Sequence, residues 1–595
     1  MVSRPMRPAA TAVLAALCCL ALAGPAVAAP PNVVVLMTDD QTASSLWAMP
    51  NVQRLLVDRG ATFDNSFVSY SLCCPSRATF LTGQYAHNHG VFDNVLPYGG
   101  FAKLDHTNTL PVWLARSGYR TILVGKYLNG YGSRDPTEVP PGWSDWHALV
   151  GVSTYRYFGF TINDNGVDTR YPRSPAYYQT DVLARKATDM IRSAARDPRP
   201  FFMWTAFVAP HFSFSKLPEP DDPRNSITRT PEPAPRDRNR FAGVPLPRPP
   251  SFDERDIGDK PDTVRIGHPP IDDRVRAAIQ ENYQQELESL QAVDRAVGRI
   301  VDELERTGQL DRTLIVFTSD NGYFHGEHRL PREKILPYEP SIRVPLVIRG
   351  PGVPADVRRT QLVSNQDLAP TILDFTNQRA GRVEDGTSLL PLIREPGDET
   401  GRDLLVEGLF RRRTAASVAF SGIRTPNWFY AEYSNGEREL YDLTGDPDEL
   451  VNRDLDPHYA GMEADLAQRL ARLRRCSGTA CRSHPRLGVG VRSQVELGPD
   501  GLPCAASDVR LDLRGPDSPL VADVDVYMGG RVVASSTGGA RTVTVPRSAF
   551  PPEANVSLRP TAYLSDDRAY TTPVDLRVCG GASDAGAVPA RIGRR

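Results

Sequence analysis

Two neighbouring cysteines lie a few residues before an arginine, where the sequence predicts the start of a helix. Cys73 and Cys74 directly precede Pro75, and proline is favoured in a first helical turn because its missing N–H is no loss there. The unpaired backbone N–H groups of a helix start attract anions, and the planar guanidinium of Arg77 suits an oxyanion. The pattern therefore indicates a reactive sulfur beside an anion site. On residue types alone, a pair of buried structural cysteines is an equally good interpretation.

Polar residues also come after four predicted buried strands. Asp39 and Asp40 follow residues 33–37, Lys126 follows 121–124, His211 comes after 201–204, and Asp320 and Asn321 follow 314–317. Because ligands of open α/β sheets bind beyond the carboxyl ends of the strands, we expect these groups to converge on one site. A solvated turn explains any single group equally well. Three carboxylates and an amide carbonyl are hard oxygen donors that suit Ca²⁺ or Mg²⁺ and not zinc.

The elements that must position these residues follow from the hydrophobic pattern. From residue 32 to about 350, apolar strand-like runs alternate with helical patterns, which predicts an α/β sheet covered by helices. The clearest helix runs from about 274 to 305, where apolar residues recur every three or four positions. A proline-rich stretch at 217–270 is interpreted as an active-site wall, because it comes soon after His211. Short β-type runs at 487–579 predict a small all-β sandwich.

Composition and the N-terminus indicate an exported protein. A length of 595 residues predicts two or three structural units, and the net charge of −2 gives no global field that would attract nucleic acid. Arg4 and Arg7 precede an apolar run at 9–23, and small residues up to Ala28 predict signal-peptide cleavage there. We find no later segment that reads as a membrane span. The sequence therefore predicts a soluble enzyme that is secreted or periplasmic.

Four cysteines remain after the signal peptide and the Cys73–Cys74 pair. In an oxidising compartment, Cys476 with Cys481 would close a short loop, and Cys504 with Cys579 would join the ends of the terminal β unit. A zinc site is the weaker alternative, because the four thiols do not form paired C-x-x-C units.

The run that starts at Cys73 resembles the signature of the type I sulfatases, Cys-x-Pro-Ser-Arg followed by Ala78-Thr79-Phe80-Leu81-Thr82-Gly83. In that family a formylglycine-generating enzyme oxidises the first cysteine to formylglycine, which implies that Cys73 is modified and that Cys74 occupies the variable position. The resemblance covers most of residues 31–455. It implies an alkaline-phosphatase-like α/β sandwich with a central mixed, mostly parallel sheet and a smaller C-terminal subdomain. The expected domains are a signal peptide at 1–28, a catalytic domain at 29–380, a C-terminal subdomain at 381–485, a small β-sandwich at 486–580 and a disordered tail at 581–595.

The resemblance also assigns roles to the polar residues. One calcium ion would be held by Asp39, Asp40, the modified Cys73, Asp320 and Asn321. The sulfate would be contacted by Arg77, Lys126, His211 and Lys334. Hydrated formylglycine would attack sulfur, and His211 or Lys334 would protonate the leaving oxygen. His325 and His328 would lie near the site, and a rim role and a structural role are equally good expectations for them.

One departure from the arylsulfatase pattern bears on the substrate. Leu128 stands where many arylsulfatases have a histidine, which leaves the base for sulfate release unassigned. The surrounding run, Gly125-Lys126-Tyr127-Leu128-Asn129, is similar to that of N-acetylglucosamine-6-sulfatases and heparan endosulfatases. The resemblance therefore implies a calcium-dependent hydrolase that acts on a sulfated glycan or a small sulfate ester, with the 6-O-sulfate of N-acetylglucosamine as the expected group.

Three alternatives remain open at this point. A generic arylsulfatase would share the same motifs. A phosphodiesterase or phosphonate monoester hydrolase of the same superfamily usually needs a second metal and further ligands, which this chain lacks in its motifs. A glycan-binding protein without catalysis is the weakest alternative, because the cysteine, the cations and the metal ligands are all intact. We expect neither a nucleic-acid partner nor a membrane span.

Overall fold

Continuous runs of aliphatic, β-branched and aromatic residues form the strands at the centre of the molecule. In the computed structural model, every residue of Asn32–Asp39, Phe201–Pro210 and Thr313–Ser319 is buried. They contain three of the runs that the sequence predicted and extend each of them. Strands that are buried on both faces require helices on both sides of the sheet.

The structure describes residues 30–214, 229–394, 402–411, 417–482, 487–497, 503–515, 518–529, 531–552, 554–564, 569–571 and 574–579. The predicted signal peptide with its cleavage site near Ala28, and the predicted tail at 581–595, lie outside these residues. Among the helices of the described ranges, none has the length and apolar character that crossing a membrane requires.

The strands and helices follow one another along the chain with these bounds. The first twelve strands are β1 (Asn32–Asp39), β2 (Ala61–Phe63), β3 (Ser66–Phe67), β4 (Arg120–Gly125), β5 (Asp145–Leu149), β6 (Thr161–Asp164), β7 (Val167–Arg170), β8 (Phe201–Pro210), β9 (Thr313–Ser319), β10 (Leu346–Arg349), β11 (Val357–Arg359) and β12 (Val363–Ser364). The later strands are β13 (Leu404–Phe410), β14 (Val418–Arg424), β15 (Trp428–Tyr433), β16 (Arg438–Asp442), β17 (Gly488–Arg492), β18 (Val495–Leu497), β19 (Pro503–Ala505), β20 (Val509–Arg514), β21 (Val521–Met528), β22 (Arg531–Ser536), β23 (Thr542–Val545), β24 (Ala554–Leu564), β25 (Ala569–Thr571) and β26 (Val574–Val578). The helices are α1 (Pro50–Leu55), α2 (Cys73–Thr82), α3 (Ala86–His89), α4 (Leu110–Arg116), α5 (Gln179–Ala194), α6 (Asp262–Arg265), α7 (Asp273–Arg306), α8 (Glu339–Ile342), α9 (Leu368–Thr376), α10 (Leu390–Arg394), α11 (Ala460–Leu473) and α12 (Thr479–Arg482). The long helix that the sequence predicted is confirmed as α7.

Ten strands of the described ranges form the central sheet, in the order β11-β2-β10-β9-β1-β8-β4-β5-β6-β7. The pairs at its centre, from β9 to β5, are parallel, and most pairs nearer the edges are antiparallel. Successive residues of β1 pack on opposite sides. Val33 and Val35 join a core with α2, α4 and α9, whereas Val34 and Leu36 join a core with α5 and α7. The predicted α/β sandwich with a mixed, mostly parallel sheet is confirmed.

Two further β units follow the central sheet. Strands β13 to β16 form an antiparallel sheet that packs against α11, and β17 to β26 form two sheets around one apolar core. Disulfide bonds join Cys476 to Cys481 and Cys504 to Cys579. The domain boundaries that the sequence suggested stay predictions.

The proline-rich insertion is anchored along the long helix. Thr230 Oγ1 donates to Gln285 Oε1 at 2.7 Å, and the backbone N–H of Leu246 donates to Gln280 Oε1 at 2.7 Å. Both acceptors are on α7. The described part of the insertion, 229–270, is therefore fixed to this helix, and 217–228 lie outside the described residues.

The hairpin at the far edge of the sheet is tied to α5 by one carboxylate. Asp164 Oδ1 lies 2.7 Å from His147 Nδ1 and 2.7 Å from Lys186 Nζ. Partial burial would raise the pKa of Asp164, but these contacts outweigh it and lower the pKa from 3.8 to about 2. Because the folded pKa is the lower one, the contacts stabilise the fold above the unfolded pKa, and this stability is lost as the pH falls towards 2.

We therefore expect Asp164→Asn to lower the free energy of unfolding at neutral pH by about 1–2 kcal/mol, and this difference to shrink as the pH falls from about 5 to about 2. Urea unfolding of the variant and the parent protein at several pH values measures this difference in free energy. Asp168→Asn, which removes an exposed carboxylate of β7, is the matched control and should show no such trend. If the loss of unfolding free energy in Asp164→Asn does not change with pH, this explanation is wrong.

Candidate active site

The carboxyl ends of two paired central strands meet at one buried site. β1 ends at Asp39, and Asp320 directly follows β9, the strand that pairs with β1. Asp40 has a left-handed backbone (φ 68°), which aspartate tolerates better than most residues, and its N–H donates to Asp320 Oδ1 at 3.2 Å. Asn321 Nδ2 donates to Asp40 Oδ1 at 2.7 Å. The four oxygen-bearing side chains that the sequence singled out therefore lie together.

Helix α2 places the two neighbouring cysteines in different environments. Cys73 is its first residue, and Cys73 Sγ lies 3.5 Å from Asp39 Oδ1 and 3.4 Å from Lys334 Nζ. Cys74 belongs to the apolar core that also contains Phe80. Because neighbouring helical side chains point about 100° apart, Cys73 faces the charged groups while Cys74 faces the core.

The Cys73 thiol is not activated in this position. Burial raises its pKa to about 12, and the negative charge of Asp39 adds to the effect. The positive charges of Lys126 and Lys334 lower the pKa, but by less than burial and Asp39 raise it. The thiol is therefore protonated at neutral pH, whereas the thiolate is the nucleophilic form of cysteine. An unmodified Cys73 would be a poor nucleophile here.

Arg77 joins the ends of β1 and β9 from inside helix α2. Its Nε donates to Asp320 Oδ2 at 2.7 Å, and its Nη2 lies 3.6 Å from Asp39 Oδ2. Lys126 Nζ also contacts Asp39. Burial alone would raise the pKa of Asp39, but Lys126 and the other nearby cations outweigh burial and lower the pKa. This carboxylate is therefore ionised at neutral pH.

A glycine at the end of β4 determines where Lys126 lies. Gly125 has φ 112°, and a Cβ there would lie 2.0 Å from the carbonyl oxygen of Ala206 on β8. The same oxygen accepts the backbone N–H of Lys126 at 2.9 Å. A side chain at position 125 would push the two strands apart and displace the lysine.

Asp40 is bordered by two basic side chains in different protonation states. Lys334 Nζ contacts Asp40, and His211 Nε2 lies 3.8 Å from Asp40 Oδ2. Burial lowers the pKa of His211 below its usual value, despite the nearby aspartates. Burial would also lower the pKa of Lys334, but Asp40 and other negative groups raise it well above its usual value. At neutral pH, Lys334 is protonated and His211 is neutral.

The donor set fits one divalent cation. Asp40 Oδ2 and Asn321 Oδ1 are buried and have no hydrogen-bond partner among the described residues. An unpaired buried oxygen costs free energy, which a bound cation recovers. Ligand atoms of Asp39, Asp40, Cys73 and His211 lie within 4.8 Å of one another. With Asp320 and Asn321 included, four of the six donor side chains offer oxygen, so the set suits Ca²⁺ or Mg²⁺.

An aromatic wall borders the cations. The Tyr155 ring centroid lies 4.9 Å from Lys126 Nζ and 4.6 Å from the His211 ring. Asn129 Nδ2 donates to the Tyr155 hydroxyl at 2.7 Å, and the Phe214 ring lies 4.7 Å from that of Tyr155. Sequence patterns miss Tyr155 because it lies in a short connection without strand or helix periodicity. The available signal is the local density of aromatic residues at 155–160.

The two histidines after β9 have structural partners. His325 Nε2 lies 2.7 Å from Glu286 Oε2 on α7, and His328 Nδ1 lies 2.6 Å from Glu254 Oε2 in the insertion. Both histidines are buried. These pairs link the loop to neighbouring segments, which favours the structural role over a rim role.

All the residues that the sequence proposed for the site are buried at the carboxyl ends of the central strands. They are Asp39, Asp40, Cys73, Arg77, Lys126, His211, Asp320, Asn321 and Lys334. Their roles as ligands and catalysts stay predictions.

Comparisons with known proteins agree with this architecture. A family model described as "Sulfatase" matches residues 31–378, and one described as "N-sulphoglucosamine sulphohydrolase, C-terminal" matches 326–476. The chain is 34% identical to human N-acetylglucosamine-6-sulfatase, over 78% of this chain and 88% of that protein. It is 35% identical to an extracellular sulfatase SULF-1 homolog of Drosophila melanogaster, over 66% of this chain and 34% of that protein.

A solved structure shares the fold. It is that of a protein in complex with its substrate D-glucosamine-2-N,6-O-disulfate, with a TM-score of 0.62 and 25% identity. The match covers 75% of this chain and 98% of the other.

The buried donor set predicts a measurable response to metal. We expect Ca²⁺ to raise the thermal unfolding temperature, because a ligand that binds only the folded state stabilises it by about 2.7 kcal/mol at 100 times its Kd. Asp40→Asn keeps the size and the left-handed backbone preference but removes a charge, and should abolish most of the shift. Asp58→Asn, at an exposed position, is the control. An equal Ca²⁺ response in Asp40→Asn and the parent protein would falsify the assignment.

Proposed function

Because the chain belongs to the sulfatase family, we propose that this sulfatase is exported and removes the 6-O-sulfate of N-acetylglucosamine from glycans. The observation that carries the proposal is the 34% identity to human N-acetylglucosamine-6-sulfatase over 78% of the chain. Export is supported by the signal-peptide pattern up to Ala28 and by the similarity to the extracellular sulfatase SULF-1 homolog of Drosophila melanogaster.

We propose that Cys73 is the residue converted to formylglycine by a formylglycine-generating enzyme. The environments of the two cysteines support this choice. Cys73 faces the charged groups, whereas Cys74 faces the apolar core. Formylglycine would supply an oxygen nucleophile in place of the thiol.

We propose that one Ca²⁺ ion is held by Asp39, Asp40, Asp320, Asn321 and the side chain at position 73. The unpaired oxygens of Asp40 and Asn321 support this assignment. A bound divalent cation would supply positive charge that polarises a sulfuryl oxygen and balances the carboxylates. The same carboxylates without a cation would repel an anionic substrate.

The chain's own cations would bind the sulfate and move the proton. Arg77 and Lys126 present fixed positive charge to the oxyanion, in a buried site where such interactions are strong. Lys334 Nζ carries a proton at neutral pH, because nearby carboxylates raise its pKa. His211 is neutral there, because burial lowers its pKa. Of the two candidates for protonating the leaving oxygen, Lys334 is therefore favoured, and His211 would orient the sulfate ester.

The aromatic wall supports a sugar as the substrate. Tyr155 presents a ring beside Lys126, and its hydroxyl is fixed by Asn129. The Asn129 Oδ1 atom is buried without a partner among the described residues, which leaves one acceptor for a substrate hydroxyl or amide. Leu128, which stands where many arylsulfatases have a histidine, is buried in the apolar core that also contains Phe80.

The modification makes a direct mass-spectrometric prediction. The tryptic peptide that contains position 73 should carry an aldehyde in place of the thiol in protein made with a formylglycine-generating enzyme. Cys73→Ala should be inactive, whereas Cys74→Ala should keep the aldehyde and lose only stability, because it removes core volume. Full activity of protein whose Cys73 is still a thiol contradicts the proposal.

The aromatic wall around Tyr155 leads to a prediction about substrate choice. N-acetylglucosamine 6-sulfate should be hydrolysed with higher kcat/KM than p-nitrophenyl sulfate, because positioning adds to the rate only for substrates that fill the site. Tyr155→Ala should lower kcat/KM for the sugar about tenfold, which is about 1.4 kcal/mol, and should affect the aryl ester less.

Tyr177→Ala, at an exposed tyrosine of the same unit, is the matched control and should change neither rate. Efficient hydrolysis of the aryl ester without sulfate release from any 6-sulfated glucosamine would place the enzyme among the generic arylsulfatases.

A further inference from the structure

The C-terminal β unit lies beyond the part of the chain that the family models match. Those matches end at residue 476, and β17 to β26 come after it. The three-stranded sheet β17-β20-β23 contributes one of its faces to the apolar core of this unit. The inward residues of this sheet include Val489, Leu511, Leu513, Val543 and Val545. The alternate positions therefore face outward.

The outward face is polar and carries three arginines. Its positions are Gly488, Gly490 and Arg492 on β17, Arg510, Asp512 and Arg514 on β20, and Thr542 and Thr544 on β23. None of these eight positions has an aromatic ring or a large aliphatic side chain. We call this set the arginine face.

The three guanidinium groups of the arginine face converge on one carboxylate. Arg492 Nε lies 3.0 Å and Arg514 Nη2 lies 3.3 Å from Asp512 Oδ2, and Arg510 Nε lies 3.1 Å from Oδ1. Hydrogen bonds from Thr542 and Arg510 lower the pKa of Asp512, which is therefore ionised at neutral pH. Three positive charges and one negative charge leave the face with a net charge of +2.

The arginines remain open to solvent while the carboxylate beneath them is covered. Their side chains are 64%, 56% and 61% exposed, in sequence order, whereas the Asp512 side chain is 10% exposed. Each guanidinium has five N–H donors, and contacts with one carboxylate leave most of them for a ligand. A Cβ at Gly490 would lie 3.5 Å from Arg514 Cζ. Glycine at this position therefore leaves one side of this guanidinium uncovered.

We infer that the arginine face is a second, non-catalytic binding site for a sulfated glycan chain. Guanidinium groups pair with oxyanions such as sulfate and carboxylate through two parallel hydrogen bonds. Three exposed guanidinium groups on two neighbouring strands can each pair with a separate oxyanion, which favours a ligand with several anionic groups over a small single anion. A single-stranded nucleic acid is disfavoured, because the face has no ring on which bases could stack.

The active site and the arginine face are separate features of the chain. The arginine face itself does not depend on the proposed function, but the choice of a sulfated glycan over other polyanions rests on it. Binding to the face would keep a polymer near the enzyme while the catalytic site acts on its ends or branches. Binding must therefore be measured apart from hydrolysis.

The test uses the full chain in a Cys73→Ala background, so that binding is measured without turnover. The variant combines Arg492→Gln, Arg510→Gln and Arg514→Gln, and the probe is a heparin oligosaccharide of defined length. At near-physiological salt, we expect the Kd to rise at least about tenfold, and the slope of log Kd against log salt to fall by about two. Failure of the proposed function would leave this binding result unchanged.

A matched control removes three arginines from the catalytic unit instead. Arg192→Gln, Arg196→Gln and Arg199→Gln lower the net charge by the same amount, at positions that precede β8. They lie at the opposite end of the sheet from the active site, because Asp39 and His211 lie at the carboxyl ends of the strands. This control should bind heparin like the parent protein and should keep its catalytic activity when Cys73 is present.

A single substitution separates binding from folding. Asp512→Asn raises the net charge of the face from +2 to +3, so we expect heparin to bind as tightly as before or more tightly, even if the unfolding temperature falls. Equal binding by the triple-arginine variant and the parent overturns the inference. So does weaker binding in Asp512→Asn that parallels its loss of stability, or equally tight binding of hyaluronan, which carries carboxylates and no sulfate.

Discussion

The pairing of three buried carboxylates with three buried cations is the constraint on which the rest of this molecule depends. Asp39, Asp40 and Asp320 are withdrawn from water at the ends of the central strands, and Arg77, Lys126 and Lys334 contact them. Burying an isolated charge is costly, and removing one member of such a network leaves its partner uncompensated. The network is therefore stable only if strands β1, β4 and β9, helix α2 and the loop after β9 keep one relative position.

Local backbone features make that position possible. Gly125 lets β4 and β8 approach closely enough for Lys126 to reach Asp39, and the left-handed backbone of Asp40 lets its N–H bind Asp320. The same burial keeps the Cys73 thiol protonated and His211 neutral. A site of this kind is preorganised for an anion, because its charges are in place before a substrate arrives.

Under the proposed function, the parts of the chain outside the central sheet would add selectivity to this charged centre. The wall formed by Tyr155, Asn129 and Phe214 places aromatic surface next to fixed cations, a combination that suits a sugar bearing an anionic group. The arginine face of the C-terminal unit would bind the same kind of molecule along its length. Two binding sites on one chain would raise the effective concentration of a polymer at the catalytic site.

Much of the central architecture could be predicted from local patterns. Hydrophobic patterns alone identify the buried strands β1, β8 and β9 and the long helix α7. Both faces of these strands are apolar, and so is a wide stripe of the helix. The short strands β2, β5, β6, β7 and β11 were missed. They lie towards the edges, and Val167–Arg170 is largely exposed, so neighbouring strands and not their own patterns make them β-structure.

The sequence by itself determined the chemistry that is available: which residues could bind an oxyanion or a hard cation, and which motif relates the chain to the sulfatases. Tertiary structure alone decided which groups touch. The motif singles out Cys73, but only the rotation along α2 places its sulfur beside Asp39 while Cys74 faces the core. Tyr155 has no pattern of its own, yet it lies beside Lys126. The physical reason is that contacts between distant residues depend on how strands and helices pack, and one strand's pattern carries no information about its neighbours' side chains.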